Sequence, residues 1–362
     1  MRPDRRLLPL LIVLLVSCCV APFARAGGMS ESDYAKLKSQ LADLVEAQRY
    51  AAADSLLKPW WARVVPDSAK HPGPAGRIIQ WQAAVYTDSW YDSARLPGTW
   101  TREQSYDWLV VASRLLARAY GNDSAERMQE LRLRADIARD REWYKLADSL
   151  GRERVALARR IRPESPMRVA VALIGLASSQ SRAGEYLESN ACLDSAIAIH
   201  QGLEHPDTSD LATALNGRAS NSLMLRADDA AERDLLAALD LRERIRGPQY
   251  ERAQIVGNLA IIAYRRGDAA KAAELYTRSY ELYRTNDPPQ WKGAGWMLSG
   301  LASSDGLAGR LADAVRHQRE GIAILEREWG KEHRLVARQY LQYAIALREK
   351  GDAEGAYEAL EH

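Results

Sequence analysis

Val256-Gly-Asn-Leu-Ala260-Ile-Ile-Ala-Tyr-Arg-Arg-Gly267-Asp-Ala-Ala-Lys-Ala272 is the stretch whose reading decides the fold. Around it, Ile255, Leu259, Ile262 and Ala263 recur at helical spacing, and so do Ala272, Leu275, Tyr276 and Leu282 beyond it. The pattern predicts one helix over Arg252–Arg266 and a second over Ala269–Arg284. Between them, Gly267 takes a positive φ at little cost and Asp268 caps the second helix.

The same hairpin is written five times. Ala177, Ala219, Ala260, Ala302 and Ala344 stand 42, 41, 42 and 42 residues apart. Twelve residues after each comes Ser189, Ala231, Ala272, Ala314 or Ala356, and seven after each comes Gly184, Arg226, Gly267, Gly309 or Gly351. Small side chains at a fixed beat let two helix axes approach where they cross. A single hairpin of this kind leaves an apolar face uncovered, so neighbours must stack on it. Of the turn residues, Arg226 alone makes the left-handed turn expensive.

These columns resemble the tetratricopeptide repeat, in which small residues flank a Gly-Asp type turn and a further small residue follows in the second helix. Here that further column holds Ala196, Ala238, Ser279 and Gly321. The period near 42 is longer than the usual 34 and looks like the kinesin-light-chain-like variety. The linkers around His205-Pro206-Asp207, Gly247-Pro248 and Gly330-Lys-Glu-His333 fit it in part, whereas the large aromatic of the first helix is mostly missing. HEAT-type helical pairs have a similar period and are the competing fold. The resemblance implies an all-α, right-handed superhelical solenoid of antiparallel hairpins.

The first 26 residues form a leader rather than part of the fold. Arg2, Arg5 and Arg6 precede the apolar run Leu7–Val20, too short to span a bilayer, and Ala24-Arg25-Ala26 offers a cleavage site. A bacterial lipobox, Leu15-Val16-Ser17-Cys18, competes and would make Cys18 a lipid anchor. The expected compartment is therefore periplasmic or extracellular. Cleavage after Ala26 leaves Cys192 as the last cysteine, a small core residue with no disulfide partner. The whole chain carries +2, of which the leader contributes +3, leaving about −1. That balance argues against nucleic acid.

Residues 27–123 are expected to form a Trp-rich helical cap with degenerate repeats. Ser30–Trp61 reads as a hairpin capped by Ser30, with Leu37, Leu41 and Leu44 on one face. Val65–Gly76, with three prolines, reads as a loop, followed by helices over Arg77–Tyr91 and Arg102–Tyr120 that break at Pro97-Gly98. Trp60, Trp61, Trp81, Trp90, Trp100 and Trp108 are expected in its core. The array proper spans 124–362. Its first, divergent unit keeps Ala135 and Ala147 in the small columns but puts Glu142 at the turn. Its last unit stops midway through the second helix at His362, as in an incomplete reading frame.

No HExxH, CxxC, GxSxG, GxxxxGK[ST] or strand-borne GxGxxG occurs, and no histidine pair lies at ligand spacing. No enzyme, cofactor or metal site is expected. A groove of first helices is expected to bind a protein or peptide whose identity the sequence does not reveal, with Asn216, Gln254, Asn258, Tyr264, Arg265, Trp296, Arg338 and Arg348 facing it. Asn bonds both peptide N–H and C=O, and Arg forks onto a carboxylate. The reading is an exported scaffold without a transmembrane span once mature. The rival is the regulatory half of an exported enzyme; the resemblance implies that such arrays often precede a CHAT-type peptidase domain.

Overall fold

Helix starts and stops follow local chemistry along the whole chain. A computed structural model describes residues 29–46, 49–89, 101–161, 165–204, 208–245, 248–286 and 289–362. All regular structure among them is α-helical. The leader with Cys18, the tryptophans Trp90 and Trp100, the Pro97-Gly98 break and the linker His205-Pro206-Asp207 lie outside the described residues. In order the helices are α1 (Glu31–Glu46), α2 (Tyr50–Val64), α3 (Pro72–Ser89), α4 (Arg102–Tyr120), α5 (Ala125–Asp140), α6 (Tyr144–Ile161), α7 (Pro166–Ala183) and α8 (Tyr186–Gln201). There follow α9 (Thr208–Met224), α10 (Asp228–Arg244), α11 (Gln249–Arg265), α12 (Ala269–Arg284), α13 (Trp291–Leu307), α14 (Leu311–Trp329), α15 (Arg334–Lys350) and α16 (Ala353–Leu360). The chain divides into two compact units, Met1–Ala183 and Gly184–His362.

The turns obey one backbone rule with different residues. Gly184, Gly267, Gly309 and Gly351 have φ of 85°, 81°, 74° and 93°. Glu142 and Arg226, in the same column, are driven into the same left-handed region at 59° and 62°. Tertiary packing thus overrides residue preference there, at a local cost of ~1–2 kcal/mol each. Asp268 and Asp352 then cap α12 and α16, accepting from the Lys271 and Gly355 amides at 2.9 Å. Ser30 and Asp33 form a reciprocal cap on α1.

In the second unit the small columns meet inside. Ala219, Ala260, Ala302 and Ala344, with Ala231, Ala272, Ala314 and Ala356, are all buried. Ser189 and Ser279 fill column positions as hydroxyls because each has a partner. Ser189 accepts from Asn221 Nδ2 at 2.8 Å, and Ser279 donates to the Ala253 carbonyl at 2.7 Å. A Cβ on Gly321 would lie 3.0 Å from the Gly295 carbonyl, so α13 and α14 cross with almost no side chain between them. Cys192, expected in the core, is half-buried on the exposed flank of α8.

Successive first helices also touch in the second unit: α9 meets α11, and α11 meets α13. In the first unit α1, α3, α5 and α7 do the same. Second helices make no comparable contacts with one another among the described residues. First helices therefore form the tighter, inner face of each unit.

The first unit differs from expectation in one element. Pro72 and Pro74 open α3 rather than lying in a loop, because the first turn of a helix needs no amide donor. Gly73 and Gly76 let α4 come close: a Cβ would stand 2.5 Å from the Tyr120 hydroxyl or 2.7 Å from Leu116 Cγ. Trp60, Trp61, Trp81 and Trp108 pack against the Leu37–Leu41–Leu57–Ile78 core, with Trp61 and Trp108 edge to face at 5.1 Å.

Candidate peptide-binding face

The inner face of the first unit contains a concavity of about 470 Å³ walled by three consecutive first helices. Successive turns of α1 contribute Tyr34, Lys38 and Ala42; α3 adds Trp81, and α5 adds Gln129 and Arg132. One end is locked by Arg77. Its guanidinium reaches Glu31 at 2.8 Å and Glu126 at 2.7 Å, sandwiched between the Tyr34 and Tyr120 rings at 4.3 and 4.6 Å. Trp81 Nε1 donates to the Tyr34 hydroxyl at 3.3 Å, and burial raises the pKa of that phenol. Three helices are thus held in register, while Lys38 stays exposed with no partner among the described residues. Behind the floor, buried Glu130 is clamped by Arg127 at 2.6 Å and Arg134 at 3.0 Å.

The eight residues marked in the sequence all lie on first helices of the second unit, α9, α11, α13 and α15. Two of them meet: Asn258 Nδ2 donates to Asn216 Oδ1 and to Ser220 Oγ, both at 3.3 Å, joining α11 to α9. Arg265 is turned to an internal task. It donates to the Leu223 carbonyl at 2.9 Å and Asp228 at 2.7 Å, stapling the end of α11 to the preceding hairpin. Trp296 is half-buried against Trp329, centroids 6.1 Å apart, and Trp329 stacks on His333 at 4.8 Å. Gln254, Arg338 and Arg348 are exposed, as is Tyr264 at 38%. Met224 and Leu307, the last residues of α9 and α13, are exposed apolar groups as well. Of the first-unit lining the sequence singled out Trp81, in a Trp-rich region read as core in preference to a surface sugar- or peptide-binding patch; α1 and α3 lack the small columns that index the face.

Among the described residues no group of three or more His, Cys, Asp or Glu could hold a metal ion. No helix among them is long and apolar enough to cross a membrane.

Residues 210–285 match the tetratricopeptide repeat family model. A search of curated proteins returns no match. Among solved structures, BtubC (BKLC) from P. vanneervenii is similar at 21% identity over 61% of this chain and 88% of that one, with a TM-score of 0.52. A Rap protein complexed with Competence and Sporulation Factor is similar at 14% identity over 92% and 86% of the two chains, with a TM-score of 0.62. The apo quorum sensor NprR from B. thuringiensis gives 13% identity, 99% and 91% coverage and a TM-score of 0.67. At these identities the likeness is one of fold.

Proposed function

Because this chain carries a tetratricopeptide-repeat array, we propose that it is an exported scaffold or adaptor that holds an extended segment of a partner protein on its first-helix faces. The observation that carries the reading is the concavity across α1, α3 and α5. Its Tyr34 and Trp81 rings suit an apolar side chain, the Gln129 amide suits a peptide group, and Lys38 suits an acidic residue. The Rap protein, solved in complex with the Competence and Sporulation Factor, shares the fold, which supports capture of a partner as a use of it. The basic, then apolar, then small-x-small order of residues 1–26 supports export, with Cys18 acylation the other route to the envelope.

Peptide-display selection on the full chain, followed by titration of the winning peptides, tests the binding reading. Lys38→Glu should weaken acidic peptides roughly tenfold, about 1.4 kcal/mol, without altering the circular dichroism spectrum. In the second unit, Gln254→Ala and Tyr264→Ala remove side chains with no internal hydrogen bond. Selected peptides that bind all three variants as tightly as wild type would place recognition elsewhere. Mass spectrometry of the mature N-terminus reads the export claim: Gly27 first supports cleavage after Ala26, whereas an intact Met1 start in the cytoplasmic fraction refutes it.

A further inference from the structure

We propose that the seam between α5, α6 and α7 is a carboxylate-binding site built on Arg154, taking a carboxylate carried on a short apolar stem. Arg154 belongs to the second helix α6 and stands seven residues after Ala147. In the later hairpins the equivalent place holds Ala196, Ala238, Ser279 or Gly321. A long cation thus occupies a slot otherwise reserved for the smallest side chains, and α7 makes room with Gly175, where a Cβ would lie 2.8 Å from Arg154 Nη1.

Arg154 as a whole is 8% exposed, its Nε is buried without a hydrogen-bond partner, and it makes no ion pair among the described residues. Burial, with Arg132 nearby, lowers its pKa to about 10. The carboxylate that acts on it, Asp136, is already engaged by Arg132 and Arg139, both at 3.0 Å. A buried, unpaired guanidinium is costly, and a ligand carboxylate offers the two-pronged acceptor it lacks.

Arg154 borders a cavity of about 280 Å³. Arg168 supplies a second cation there, while Met128, Met167 and Val171 form apolar walls. Ala125 and Met167 belong to the first turns of α5 and α7, whose positive ends favour an anion. One deep fork, one rim cation and three apolar walls fit a monoanion with a hydrocarbon stem better than a multiply charged phosphate. The site adjoins the peptide face, since Ala125 and Gln129 line both cavities, but Arg154 enters it from α6 and Arg168 and Met167 from α7, so it stands whether or not that face binds peptide.

Calorimetric titration of the full chain with N-acetylleucine, N-acetylleucinamide, inorganic phosphate and the peptide acetyl-Ala-Ala-Leu with a free carboxyl tests it. The acid should bind, and its amide should bind at least about tenfold more weakly. Arg154→Ala, which restores the side chain used by the later hairpins, should abolish acid binding while raising the melting temperature. Tighter binding of the peptide than of N-acetylleucine would identify a protein C-terminus as the source, and equal binding a free small acid. Absence of acid binding, equal binding of acid and amide, stronger binding of phosphate, or an Arg154→Ala chain that binds unchanged would each overturn the assignment.

Discussion

Arg226→Gly should stabilise the second unit. Arg226 is exposed, has no ion pair among the described residues, and sits at φ 62° at the turn between α9 and α10. The substitution therefore removes no contact and changes only the backbone's preferences. An L-residue in the left-handed region costs ~1–2 kcal/mol, which glycine relieves. Glycine returns ~0.5–1 kcal/mol of that through the greater freedom of its unfolded chain. The net gain is ~0.5–1 kcal/mol, and for a unit the size of Gly184–His362 it should raise Tm by ~1–4 °C. Urea and thermal unfolding followed at 222 nm measure it. Arg226→Ala should be nearly neutral, because alanine suffers the same strain. Gly267→Ala should lose ~1 kcal/mol, although a Cβ there meets nothing within 4 Å. If Arg226→Ala gains as much as Arg226→Gly, or Gly267→Ala is harmless, the turn column does not require a left-handed residue and the reasoning fails.

Gly300→Ala should cost ~1–3 kcal/mol by overpacking, since its Cβ would fall 2.3 Å from the Tyr276 ring; an unchanged urea midpoint would contradict that contact. Glu130→Ala removes the buried carboxylate shared by Arg127 and Arg134, leaving Arg127 on Glu153 and Arg134 on the Tyr106 hydroxyl, and should cost ~1–3 kcal/mol in the urea midpoint, with Glu130→Gln milder. Alkali should unfold the chain cooperatively. Burial pushes Tyr276 up to about 12 and raises Tyr283 and Tyr86 as well, Tyr86 also by its bond to Asp54. The folded state therefore keeps protons that the unfolded chain loses near its ordinary phenol pKa of ~10, and stability falls as pH rises from there towards 12. Tyrosinate absorbance at 295 nm should rise together with loss of helix; full ionisation at pH 10 with helix intact would be the contrary result.

What the sequence made legible was what adjacent residues decide. The bounds of α4 at Arg102 and Tyr120, the Asp268 and Asp352 caps and the buried columns are all local signals repeated at a fixed interval. Pro72 was misleading because a proline ends one helix and begins another with equal ease, and α4 decides which by packing on Gly73 and Gly76. Within the candidate face, the period brings α9 beside α11, and Asn216 and Asn258 meet across them one position out of column. The internal duties of Arg265 and Trp296 depend on Leu223, Asp228 and Trp329, which come from neighbouring hairpins. Arg154 escapes the sequence pattern, because the third column is indexed only from Ala196 onward, and the seam with Gly175 alone gives its size meaning.

The bonds Asn216–Asn258 and Leu223–Arg265 each join positions 42 residues apart. The two copies of the motif that they join are themselves 41 residues apart, so each bond reaches one position past its own column. The places that correspond to Asn258 and Arg265 in the preceding copy hold Gly217 and Met224. A hairpin duplicated in frame there would bring neither donor to its new border, so lengthening the array demands substitution at those two places as well as gene duplication.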